Sequence, residues 1–256
     1  MEAFKRDQKT DEEKTLDFQI LSWEACDEQI ENETSDQEEY EPAPDLRYHI
    51  YAFGVNDSGE SVCVRFENYK PYFFALIPDK YQERFGNYEK NEVERFIRNK
   101  LFKSKEDLES VSIVVRKKYK GFTNGKTYKF LRFVCKNLNT FNRIKYILNP
   151  RDKTKLPKIS AINVNEKLKF DLYESNIEPY LRFTHKMEIQ MAGWVRVKNI
   201  TQDLEMSRCQ HSYICHYNCV QKLDRQEVCD LTIGSWDIEA FSYASRYEGI
   251  NEFPDP

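Results

Sequence analysis

The chain has 256 residues, 40% of them apolar and 14% aromatic, with a formal net charge of −4. That is enough apolar material for a sizeable core in one large domain or two small ones, and eight glycines and nine prolines are too few for a low-complexity or collagen-like polymer. No apolar run reaches membrane-spanning length, and the opening MEAFKRDQKTDEEK lacks the apolar core of a signal peptide. With seven cysteines, an odd number, and no signal, the expectation is free thiols in a reducing, intracellular compartment.

Charge is divided unevenly. Residues 1–45 hold 16 acidic and 4 basic residues, net −12, whereas 46–256 hold 27 and 35, net +8. A basic folded part suits a polyanionic partner, although on composition alone a solvated surface is the better reading.

In chain order, residues 1–15 are polar and predicted disordered. LDFQILSW (Leu16–Trp23) alternates as a strand. The acidic stretch 27–45, closing on two prolines, predicts an exposed loop. RYHIYAFGV (Arg47–Val55), the turn Asn56-Asp57-Ser58-Gly59 and ESVCVRF predict a hairpin, and PYFFALIP (Pro71–Pro78) a further strand. Asn91–Phe102 places Val93, Phe96, Ile97 and Leu101 on one helical face. Strands follow at Ser110–Lys118 and Thr127–Lys136 around a Gly121–Gly125 turn, then a helix at Leu138–Asn149 stopped by Pro150. The order is β-α-β-β-α, and one more strand within Ile159–Phe170 would complete a ferredoxin-like unit. Tyr180–Ile200 reads as two strands broken at Ala192-Gly193. Residues 207–220 alternate again, and LTIGSWDIEAFS (Leu231–Ser242) opens as an apolar strand carrying acids.

Three residue groups invite chemistry. Asp237 and Glu239 stand two apart on that last strand, so both carboxylates project to one face. Asp-x-Glu also occurs at Asp11, Asp36, Asp107 and Asp203, so the apolar setting and not the pattern singles out the last. A carboxylate in an apolar setting needs a metal or a partner to offset lost solvation. Cys209, His211, Cys215, His216 and Cys219 lack the spacing of a standard zinc site, and the shared parity of 209, 211, 213, 215, 217 and 219 predicts one strand face lined with thiols and aromatics. Arg116, Lys117, Lys118 and Lys120 form a basic stretch, either a solvated strand end or a phosphate contact. It adjoins TYKFLRFVCK, whose aromatics are either core or a base-stacking strand.

Four stretches in order carry a resemblance: LDFQILSW; YAFGVNDSGESVCVRFENYKPYFFALIP; DLYESNIEPYLRFTHKMEIQMAGWVRV; and SWDIEAFS with the closing FPDP. Together they resemble the amino-terminal region of B-family DNA polymerases, nearest the delta type that large DNA viruses also carry. The most distinctive part is Tyr173, Glu174, Ser175, Asn176, Ile177, Arg182, Phe183 and Trp194.

The resemblance implies an α+β chain. A β-rich amino-terminal domain at 16–228 would enclose an RNA-recognition-like βαββαβ subdomain at 72–170, and 229–256 would open an RNase H-like 3′–5′ exonuclease domain. Asp237 and Glu239 would be its first motif, binding two Mg²⁺ or Mn²⁺ ions, with Asp237 bridging them and Glu239 orienting the water. The other ligands would come from later motifs not present in these 256 residues, so the chain alone would be inactive.

Implied partners are primer-template and single-stranded DNA, the remaining exonuclease, palm, fingers and thumb, and a sliding clamp, with no membrane. The implied place of action is the nucleus or a viral replication site. The alternatives are a non-catalytic nucleic-acid-binding module or one piece of a split polymerase, and a lone RNA-recognition-type protein.

Overall fold

The computed structural model describes residues 14–30, 45–118, 120–159, 167–231 and 234–237. The expected disorder of the first residues therefore falls outside it except at Lys14 and Thr15. Thr15 already begins β1 (Thr15–Gln29), which pairs antiparallel with β2 (Leu46–Asn56), and β2 pairs with β3 (Ser61–Glu67). The turn between β2 and β3 is built by Asn56, whose carboxamide oxygen accepts the N–H groups of Ser58 and Glu60. Gly59 closes the turn at φ 76, a left-handed conformation that glycine adopts without steric cost.

β8 (Gly193–Lys198), β9 (Thr201–Gln202), β10 (His211–His216) and β11 (Val220–Lys222) complete a seven-stranded sheet in the order β11-β8-β1-β2-β3-β10-β9. Within it β3 and β10 run parallel, while the other recorded pairings are antiparallel.

A second, four-stranded antiparallel sheet contains β4 (Tyr72–Leu76), β5 (Leu108–Lys117), β6 (Thr127–Cys135) and β7 (Asp171–Tyr173), in the order β5-β6-β4-β7. Two helices connect its strands: α1 (Asn87–Leu101), between β4 and β5, and α2 (Leu138–Leu148), between β6 and β7. Glu89 reaches back to the Gly86 N–H to start α1. Val93, Ile97 and Leu101 of α1, with Phe141, Ile144 and Leu148 of α2, pack on Phe73, Ala75, Leu131 and Phe133. One face of this sheet is thereby covered, and alternation sends Tyr72, Phe74, Tyr128, Phe130 and Arg132 to the other.

The two sheets meet at the start of α2. Asn137 caps that helix by accepting the Thr140 N–H, and its own amide donates to the Leu46 carbonyl. Asp27, near the end of β1, accepts the next two free N–H groups, from Leu138 at 2.7 Å and Asn139 at 2.8 Å. A carboxylate at a helix amino terminus satisfies orphan donors and complements the helix dipole. Asp27→Ala is expected to cost about 1–2 kcal/mol, seen as a lower urea midpoint with an unchanged slope. An unaltered midpoint would remove the cap from the account of how the sheets are joined.

Five expectations need correction. Asp27–Gln29 belong to β1 and not to the loop predicted from residue 27, and Ile30 donates to the Asp45 carbonyl; 31–44 lie outside the described residues. The fourth strand of the small sheet is Asp171–Tyr173, just beyond the expected 159–170. Of that window, 160–166 lie outside the described residues and 167–170 are not strand. The first half of Tyr180–Ile200 is helix α3 (Pro179–Lys186): Pro179 pre-sets the first turn, and Pro179, Arg182 and Phe183 bury one face at helical spacing.

The alternation at 207–220 yields a strand only over 211–216. Tyr217–Cys219 form a 3-10 turn, so the cysteine and histidine side chains do not line one continuous strand face. Finally, Leu231 and 234–237 are exposed and carry no strand, and Trp236 is 80% exposed.

Candidate nucleic-acid interface

On the face of the small sheet away from its helices, four aromatic rings form a continuous floor. Phe74 meets Phe130 at 6.5 Å and Tyr72 at 5.7 Å between centroids, and Phe130 meets Tyr173 at 5.2 Å, all edge-to-face. Strand order makes this possible, since β4 lies between β6 and β7 and brings together residues about 100 positions apart. Phe130 is 2% exposed and Phe133 fully buried, so these two rings of TYKFLRFVCK are core. The rings left partly open are Tyr72, Phe74 and Tyr173.

Arg182 of α3 lies over this floor, 4.4 Å from the Tyr72 ring centroid, with Arg132 at 4.2 Å from the same ring. Glu174, in the left-handed region at φ 56, holds Arg182 with both its carboxylate and its backbone carbonyl. A glutamate there costs free energy that the surrounding structure must offset, and such residues gather at functional sites. The YESNI…LRF…GW stretch thus has a physical reading: Tyr173 in the floor, Glu174 clamping Arg182, and Phe183 buried against Trp23, Phe66 and Tyr69. Trp194 donates to the Glu227 carbonyl and lies beneath Arg225.

The floor belongs to a cavity of 360 Å³ whose wall includes Arg116, Lys117 and Lys118 at the end of β5. Lys118 is turned inward: its Nζ lies 2.9 Å from Asp79 and 3.9 Å over the Tyr128 ring. Burial alone would lower its pKa, but the Asp79 contact and the neighbouring tyrosines outweigh that and hold it above its ordinary 10.5. Arg116 and Lys117 make no ion pair among the described residues.

Lys120 lines a different, adjoining concavity of 620 Å³, together with Lys145, Tyr146 and Arg151 from α2 and its end, and Lys169 and Tyr173 at β7. Here burial draws the Lys145 ammonium below its usual pKa, with Glu178 opposing. The sequence reading missed this second cluster. Its signal was present in Lys145, Arg151 and Lys169, but their convergence depends on where β7 joins the sheet.

Asp237 is described and exposed; Glu239 lies outside the described residues. Among the described residues no three His, Cys, Asp or Glu side chains are placed to hold a metal ion, so Cys209, His211, Cys215, His216 and Cys219 do not assemble a zinc site there. No described helix is long and apolar enough to cross a membrane.

Part of the chain is similar in sequence to family B DNA polymerases. Residues 170–256 match the family model "DNA polymerase family B, exonuclease domain", a stretch that opens just before β7. More particularly, its curated relatives include viral DNA polymerases. That of Pyramimonas orientalis virus is 31% identical over 240 residues, covering 93% of this chain and 18% of the relative. Those of Phaeocystis pouchetii virus and Acanthamoeba polyphaga mimivirus are each 28% identical, covering 90% and 91% of this chain and 22% and 13% of the relatives. The chain thus spans about a fifth or less of the length of these proteins. A solved family B DNA polymerase from Pyrobaculum calidifontis aligns with 80% of this chain and 20% of its own at 15% identity and a TM-score of 0.44.

Exonuclease domains of this family use divalent metal ions. The described residues do not by themselves fit such a centre, because they supply one exposed carboxylate, Asp237, with no grouped ligands around it.

Proposed function

We propose that the chain is the amino-terminal and exonuclease-entry segment of a virus-type family B DNA polymerase, which copies DNA and proofreads it in the 3′–5′ direction. The observation that carries this reading is the joint match: an exonuclease-domain model over 170–256 and polymerase relatives over some nine-tenths of the chain. Residues 16–228 serve as the amino-terminal domain, with 72–170 as a ferredoxin-like or RNA-recognition-like subdomain. The strand order β5-β6-β4-β7 with both helices on one face supports that subdomain, whose last strand extends it to Tyr173. Residues 229–256 begin the exonuclease.

Asp237 and Glu239 contribute two carboxylates to a Mg²⁺ or Mn²⁺ site that residues of later motifs complete. The substrate is primer-template DNA, the partners are the remaining exonuclease, palm, fingers and thumb, and the place of action is wherever the viral genome is copied in its host cell.

A 3′-end-labelled primer-template with Mg²⁺ tests the reading. The longer protein, in which the rest of the polymerase follows this chain, shortens the primer, and the 256-residue chain alone leaves it intact. Nuclease activity from the chain alone, or none from the longer protein, would refute the assignment.

A further inference from the structure

The two concavities of the small sheet share one residue. Tyr173, on β7, lines both the aromatic-floored cavity and the larger basic one. β7 is the edge strand of its sheet among the described residues, and its Tyr173 stands between the two hollows. Each contains four cationic side chains and one carboxylate, Glu174 in the first and Asp171 in the second. Glu174 is already committed to Arg182 and Lys118 to Asp79. That leaves Arg116, Lys117, Lys120, Lys145, Arg151 and Lys169 without an ion-pair partner among the described residues. Six such cations along one path, in a protein of net charge −4, mark a track for a polyanion. Rings stand beside it: Tyr146 is 53% exposed, and Tyr173 and Phe74 are half-buried.

We propose that single-stranded DNA passes around the edge of β7, with phosphates on Lys145, Arg151 and Lys169 on one side and on Arg116 and Lys117 on the other, and with a base seated against Tyr173 and Phe74. This rests on the polymerase reading and adds to it where an unpaired strand is held. A 360 Å³ cavity floored by rings has room for a base, and stacking on those rings requires a base whose face is not already covered by its neighbours in a duplex. A duplex, whose bases face inward, reaches only the cations. The seat therefore discriminates by strandedness and not by sequence, because every base offers a face for stacking.

The experiment uses the 256-residue chain and a fluorescein-labelled 16-nucleotide DNA of mixed sequence, as single strand, as duplex and as the same-sequence RNA, with affinity read by anisotropy across a salt series. The single-stranded DNA binds tightest. Lys145→Glu with Arg151→Glu and Lys169→Glu weakens it by about 10-fold or more and lowers the slope of log affinity against log salt by about two, at roughly 0.7 per phosphate contact.

Tyr173→Ala weakens the single strand by about 10-fold and leaves the duplex unchanged, as expected for one lost stacking contact. Tyr173→Phe restores binding, which shows that the ring and not the fold of β7 is responsible. Arg95→Glu with Lys100→Glu, on α1, is the charge control and changes affinity less than about 2-fold.

Equal binding of duplex, or indifference to both the triple change and Tyr173→Ala, overturns the proposal; tighter binding of RNA overturns its assignment to DNA. Groove-dependent binding in a chain whose longer form neither extends nor shortens primers leaves the groove standing and removes the polymerase reading. Primer extension and shortening without groove-dependent binding removes the groove alone.

Discussion

In the longer protein, Asp237→Ala with Glu239→Ala is expected to reduce 3′–5′ exonuclease activity by about 10³-fold or more, while primer extension survives. The size follows from how such groups act. Carboxylates that hold one catalytic centre work as a unit, so removing part of the set costs nearly as much as removing all of it. On the proposed polymerase reading, extension would survive because the polymerising site would draw on other residues. The control is the same tripeptide pattern elsewhere. Asp203 and Glu205 lie just after β9, where the Asp203 carboxylate accepts the Glu205 N–H in an exposed turn. Asp203→Ala with Glu205→Ala should leave the nuclease rate within about 2-fold, as for a surface change away from the site. The rate to measure is shortening of a mismatched, 3′-labelled primer under single-turnover conditions. A double mutant at 237 and 239 that still proofreads at the parental rate would end the assignment of these two residues.

Gly54→Ala should be the most damaging conservative change in the large sheet. Gly54 is buried in β2, where β1 crosses close beside it near the register shift between Ile20 and Ser22. A Cβ at this position would overlap the Gln19 carbonyl oxygen and stand 2.9 Å from its carbon and 3.0 Å from the Phe18 ring. The obstacle is backbone of a central strand, which no rotamer change relieves, and Phe18 is fully buried. Separating β1 from β2 there would loosen the sheet's most extensive pairing. The expected loss is about 3 kcal/mol, at the upper end for overpacking, read as a lower midpoint in urea unfolding followed by circular dichroism. Gly59→Ala, where a Cβ meets nothing within 4 Å but φ is 76, tests backbone strain alone. It should cost about 1 kcal/mol. A Gly54→Ala protein as stable as its parent would show that β1 can move away at little cost.

Most strands and helices up to Leu148 were legible in the sequence because each has a local cause. The Asn56–Gly59 turn, the apolar faces of α1 and α2, and the alternation of β2, β3 and β6 are set by neighbours a few residues away. Beyond residue 149 the local signals conflict. The segment starting at Tyr180 alternates in part and reads as strand, yet Pro179 and the burial of Arg182 and Phe183 make it helix α3. Arg182 is the deciding residue: a buried arginine is tolerated only because Glu174 and the Tyr72 ring receive it, and neither partner can be read from the chain around it. The LTIGSWDI run was judged buried from its composition, whereas Leu231 and Trp236 are exposed.

The sequence by itself carried the resemblance to B-family polymerases, through residue identities in order, and determined the local elements, through turn chemistry and periodicity. It also displayed the Arg116–Lys120 charge. The tertiary structure alone decided which rings stay open and where the cations gather. Alternation leaves Phe74 and Phe130 on one face, but only the docking of β7 beside β4 adds Tyr173 to them and turns Lys145, Arg151 and Lys169 toward one hollow. Local patterns fix which face of a strand a side chain takes; the distance between side chains remote in sequence depends on sheet order, which is set by pairings the local chain does not encode.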